Sequence, residues 1–166
     1  MKTALLAAAI GLVACGGSSG PANNFTATMN NANEVPTART PNPNGAGNAT
    51  YTVLDGGTAV SYTVTFSGMT SKPSAGHIHV GTSTESGGVV VPFTIPADAG
   101  TSGTITGTFT AADVAQQGTQ STPSQTIVKG DMNSMLSAMR VGATYTNLHT
   151  TPANPNGEIR GQNQPH

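Results

Sequence analysis

From residue 25 onward the chain is a succession of short runs in which apolar and polar residues alternate. Val60, Tyr62, Val64 and Phe66 interleave with Ser61, Thr63, Thr65 and Ser67. That period of two places the apolar set on one face of a strand and the hydroxyls on the other. Residues 25–29, 49–54 and 103–109 carry the same pattern, and Asp55-Gly56-Gly57 is a hairpin signal between the second and third runs. Residues 89–93 form a short apolar run that suits a buried strand, and residues 74–81, 145–149 and 158–162 also read as strands. Residues 30–48, with three prolines, and residues 118–130 read as loops.

Two stretches break the period of two. Thr110 is placed to cap a short helix over residues 111–117. Asp131 is placed to cap a second helix, in which Met132, Met135, Leu136 and Met139 fall at i, i+3, i+4 and i+7. A methionine stripe suits soft copper, but Leu136 shares it, which makes it the packed face of an amphipathic helix. About eight short strands without βα alternation predict an all-β fold. The expected architecture is an antiparallel Greek-key β-sandwich with one or two short helices in a long connection.

Composition narrows the function classes. The chain has 166 residues, enough for one domain with a sizeable core, and only 8% of them are charged, with a net charge of -1. A nucleic-acid partner would need a basic patch and is excluded. Residues 1–14 read as a signal peptide: Lys2 precedes an apolar stretch at 4–13 that is too short to span a bilayer. Leu12-Val13-Ala14-Cys15 resembles a bacterial lipobox, which implies cleavage before a lipidated Cys15. Residues 15–24 then form a flexible tether and residues 25–166 the domain. The expected location is the bacterial cell envelope, lipid-anchored at the outer membrane. Because Cys15 is the single cysteine, no disulfide is expected inside the domain.

The candidate chemistry lies in Gly76-His77-Ile78-His79. On a strand, His77 and His79 project to the same side, with backbones roughly 6.5–7 Å apart, within reach of one ion. His149 sits on another predicted strand, sharing a face with Tyr145 and Asn147, which are candidates to fix a ring tautomer. His166, the fourth histidine, lies beyond Pro165 at the terminus and is not counted. The blander alternative is three unrelated surface imidazoles. Glu158 and Arg160, two apart on a strand, can pair with each other, and Glu34 is a further candidate partner for Arg160. No Ser/His/Asp pattern, phosphate loop or paired carboxylate site is present.

Four segments, in order, resemble the CHRD domain, first described as a repeat in chordin. They are Asn30-Asn31-Ala32-Asn33-Glu34-Val35-Pro36, Gly76-His77-Ile78-His79-Val80-Gly81, Tyr145-Thr146-Asn147-Leu148-His149-Thr150 and Asn156-Gly157-Glu158-Ile159-Arg160-Gly161-Gln162. Thr146 and Leu148 stand where that family usually has valine, and residues 118–130 look like an insertion. The resemblance implies a sandwich over residues 25–162 but no particular activity.

The Gly-x-His-x-His strand is also similar to the copper half of Cu,Zn superoxide dismutases. That resemblance implies His77 and His79 as a ligand pair, His149 as the later ligand, and Arg160 as the guanidinium that attracts a small anion such as superoxide. No histidine lies between His79 and His149, so the bridging ligand and the zinc site of those enzymes are missing. A zinc-free copper site remains, and three imidazoles without thiolate or carboxylate also lean toward copper. Two functions are expected from this reading. One is a copper-only, superoxide dismutase-like envelope lipoprotein; the other is a non-enzymatic copper-binding or interaction module of a cell-surface assembly.

Overall fold

A computed structural model describes residues 20–118 and 125–166. The predicted signal peptide and Cys15 lie outside the described residues. The strands in chain order are β1 (Asn24–Asn30), β2 (Ala46–Leu54), β3 (Ala59–Ser67), β4 (Ala75–Val80), β5 (Val89–Pro92), β6 (Gly103–Thr110), β7 (Gln117–Gly118), β8 (Thr126–Ile127), β9 (Thr144–Thr150), β10 (Asn154–Gln162) and β11 (Gln164–Pro165). Among the described residues one α-helix, α1 (Met132–Arg140), lies between β8 and β9. The fold is all-β, as the alternating pattern predicts, and every strand pairing is antiparallel. No described helix is long and apolar enough to cross a membrane.

The main sheet runs β5-β4-β9-β10-β1-β2-β3-β6. It folds over where β10 meets β1, at the pair Asn30↔Arg160. The two halves pack face to face, because each presents an apolar set that must leave water. Phe25, Tyr51, Val64 and Ile105 from one half share a core with Ile78, Val80 and Leu148 from the other, all at most 1% exposed. Tyr51 and Thr146 hydroxyls bond across the gap at 2.5 Å, so the polar groups buried there are paired. On the solvent face of β1, β2, β3 and β6, Thr26, Thr50, Thr63 and Thr106 stand in one cross-strand row.

The helix over residues 132–140 forms as its spacing predicts. Asp131 accepts from the backbone of Asn133 and Ser134, and Met132, Met135, Leu136 and Met139 are buried. The predicted helix over 111–117 does not form. Thr110 and Asp113 make a capping box, but only around a single 3-10 turn, Ala111–Asp113. After it Val114 is buried and the Ala115 N–H bonds to the Val90 carbonyl, so attachment to β5 replaces a second helical turn. The predicted loop at 118–130 is partly structured, since β7 pairs with β8 and Ile127 enters the core.

Strand β9 positions the site. All seven of its residues are buried. Thr146 and Leu148 face the core, while Tyr145, Asn147 and His149 face outward, against the loop after β4, Glu34 and the start of β10 respectively. A strand covered on both sides is destabilised by each polar group that lacks a partner, and here Asn147 Oδ1 lacks one while the other polar groups converge on shared partners.

Candidate metal centre

Strand β4 lies against β9 with His79 opposite Tyr145, His77 opposite Asn147 and Ala75 opposite His149. Alternation turns Ile78 and Val80 into the core and both histidines outward, onto the face that carries His149. The three rings meet there. Their centroids are 5.3 Å apart for His77–His79, 4.9 Å for His77–His149 and 5.9 Å for His79–His149. One nitrogen from each lies within 4.8 Å of the other two. His79 and His149 are buried, and His77 is half-buried.

Backbone carbonyls set which nitrogens are offered. His79 Nδ1 is 3.0 Å from the Gly87 carbonyl, and His149 Nδ1 is 3.0 Å from the Pro155 carbonyl. A carbonyl only accepts, so each Nδ1 carries the proton and each Nε2 presents a lone pair. His79 Nε2 is buried with no hydrogen-bond partner. His149 Nε2 faces His77 Nδ1 at 3.1 Å. At metal–nitrogen bonds of about 2.0–2.1 Å, two nitrogens 3.1 Å apart would subtend roughly 100° at an ion, a normal angle between neighbouring ligands. Burial pushes the pKa of both His77 and His79 down to about 4 and also lowers His149, which keeps all three rings neutral at pH 7, the state that ligates. An orphaned buried lone pair, two fixed tautomers and neutral rings fit a metal ion.

The proposed tautomer-fixing residues act otherwise. Tyr145 stacks on His79, with centroids 4.8 Å apart and planes 8° apart, and its hydroxyl bonds to Gly87 rather than to an imidazole. Asn147 donates to the Glu34 carboxylate at 3.2 Å. The carbonyls of Gly87 and Pro155 hold the rings instead. A carbonyl leaves no trace in sequence, but Gly87 does, because a Cβ there would overlap the Val80 carbonyl. The Gly87-Gly88 pair is the one available signal.

Arg160 is 1% exposed, and its guanidinium lies 3.4 Å from the Tyr145 ring centroid. The His79 ring and this guanidinium cannot both fit against one face of the tyrosine at these distances, so Tyr145 stands between them. Arg160 Nη2 donates to the carbonyls of Thr82 and Glu85 at 2.7 and 2.8 Å. Glu34 acts on Arg160 only when it is ionised, while Glu158 is bound by Thr70, Thr150 and Asn42. The expected Glu158–Arg160 pair therefore gives way to hydroxyl, amide and carbonyl partners.

The family model of the CHRD domain matches residues 25–163. The chain belongs to the CHRD family. No curated protein and no solved structure matches it. In this CHRD domain the four motif segments meet around one site. Glu34 of the first bonds Asn147 of the third, His77 and His79 of the second pack with His149 of the third, and Arg160 of the fourth stacks on Tyr145 of the third.

Proposed function

We propose that this CHRD protein is an exported lipoprotein of the bacterial cell envelope, anchored through Cys15, that holds one copper ion on His77, His79 and His149. The observation that carries the reading is the buried, unpartnered Nε2 of His79, aimed by the Gly87 carbonyl toward the two neighbouring imidazoles. Three neutral imidazoles with no thiolate or carboxylate among them suit copper better than calcium, magnesium or structural zinc. Copper would supply one-electron chemistry, which suits superoxide as a small anionic substrate. The chain's own part is to keep the rings neutral and oriented, and to leave the half-buried His77 side open to a small molecule.

A second reading, a non-enzymatic copper-binding module within a cell-surface assembly, is favoured by the placement of Arg160. Its guanidinium is buried behind Tyr145 and bound to two carbonyls, so it is poorly placed to draw an anion to the histidines. The two readings separate in a dismutase assay of the copper-loaded protein. Activity well above that of free aqueous copper supports the enzyme; activity equal to it leaves the binding module. In both, His79→Ala weakens copper binding by at least about 100-fold, more than loss of an outer-sphere partner would. Competition with a chromophoric chelator measures this, and unchanged affinity in His79→Ala would remove the site.

A further inference from the structure

We propose that Arg160 is a positioning residue for His79: with Tyr145 it clamps the loop of residues 81–88 so that the Gly87 carbonyl fixes the His79 tautomer. This rests on the metal-binding reading above.

The loop leaves β4 after Val80 and returns to β5 at Val89. It carries the carbonyl that accepts from His79 Nδ1, so the direction of the His79 lone pair depends on where the loop sits. Three side chains from β9 and β10 hold it. Arg160 Nη2 reaches the Thr82 and Glu85 carbonyls at 2.7 and 2.8 Å, and Gln162 Nε2 reaches the Gly81 carbonyl at 2.8 Å. The Tyr145 hydroxyl lies 3.2 Å from the Gly87 nitrogen and 3.4 Å from its oxygen.

Of these, only the guanidinium is charged, and it is buried. Bonds from an ionised donor in a low-dielectric site are the strong ones. Nη2 alone bonds both carbonyls while the guanidinium carbon lies 3.4 Å from the Tyr145 ring centroid, and a lysine ammonium, one bond shorter and not planar, cannot keep both placements. Shortening the side chain to lysine withdraws the donor from the Thr82 and Glu85 carbonyls and removes the guanidinium from the Tyr145 ring. The loop then shifts, Gly87 withdraws from His79, and the ring is free to carry its proton on either nitrogen. The Pro155 carbonyl that orients His149 belongs to β10 and is not part of this clamp.

Nitrogen-15 NMR of the metal-free protein at neutral pH reads the tautomer directly and needs no metal. In the wild type His79 and His149 should each carry the proton on Nδ1. In Arg160→Lys, His79 should become a mixture of tautomers while His149 stays as it was, and copper affinity should fall by about 10–100-fold. Tyr145→Phe keeps the ring but removes the hydroxyl bond to Gly87. It should move His79 the same way by a smaller amount, and it supplies the reading if Arg160→Lys does not fold. A His79 that keeps its proton on Nδ1 in a folded Arg160→Lys, or in Tyr145→Phe where the lysine variant does not fold, overturns the proposal. Failure of the wild type to bind copper would instead overturn the metal reading and leave the tautomer result standing.

Discussion

Glu158→Ala should lower the unfolding free energy by about 3–5 kcal/mol, because it strips a buried anion from several donors at once. The side chain is fully buried. Its carboxylate accepts from the Thr70 N–H at 2.7 Å, the Thr70 hydroxyl at 2.6 Å, the Asn42 amide at 2.6 Å and the Thr150 hydroxyl. Burial by itself would raise this carboxyl's pKa, but the hydrogen bonds from Thr150, Thr70 and Asn42 outweigh it and hold the group below the ordinary range. The donors come from the loop after β1, the loop before β4, and β9. One carboxylate therefore ties three segments to β10. Left without it, the buried Asn42 and Thr150 lose a charged acceptor, while the exposed Thr70 can turn to water. Thermal unfolding should show a midpoint lower by on the order of 10 °C, and a shift of less than about 2 °C would contradict this account.

The second large effect is a stability maximum near pH 6.5 in the metal-free protein. Desolvation lifts Glu34 from 4.5 to about 8, against the pull of Asn147 and Arg160. Folded Glu34 thus keeps a proton that the unfolded chain has lost above pH 4.5, and its contribution to stability is lost as pH rises from 4.5 toward 8. His77 and His79 run the other way. Burial lowers both to about 4, while the unfolded rings protonate near 6.5, so stability is lost as pH falls from 6.5 toward 4. Between 4.5 and 6.5 the imidazoles, with His149 acting in the same direction, outweigh the one carboxyl; above 6.5 the unfolded rings lose their remaining protons and Glu34 dominates. Stability should fall by roughly 2 kcal/mol over two pH units on the acid side and by roughly 1 kcal/mol over two units on the alkaline side. Calorimetry on metal-free protein between about pH 5 and 8 tests it; a midpoint that rises monotonically to pH 8 would show that Glu34 is ionised in the folded state.

Much of the fold was legible in the sequence because burial on one face of a strand writes itself as a period of two. β3 shows this most plainly, with Val60, Tyr62, Val64 and Phe66 inward, and α1 shows the helical equivalent with its cap at Asp131. Residues 111–117 misled because a capping box is a local signal that a single turn already satisfies. Only the tertiary bond from Ala115 to Val90 sets the path of the chain beyond that turn. Strand parity put His77 and His79 on one side, while the pairing of β4 with β9 that brings His149 to them left no signal in the sequence. The machinery behind them was not legible. Gly87 and Pro155 act through carbonyls, which every residue possesses, and Arg160 bonds the carbonyls of a loop that is distant in sequence.

Metal analysis of the purified protein, reconstituted with copper and separately with zinc, tests the central claim most directly. The convergence of His77, His79 and His149 predicts one tightly held copper per chain, with zinc retained far more weakly, and loss of that copper in His79→Ala. A protein that leaves desalting with no copper, or with equal copper in wild type and His79→Ala, would mean that the three imidazoles are only a packed polar cluster.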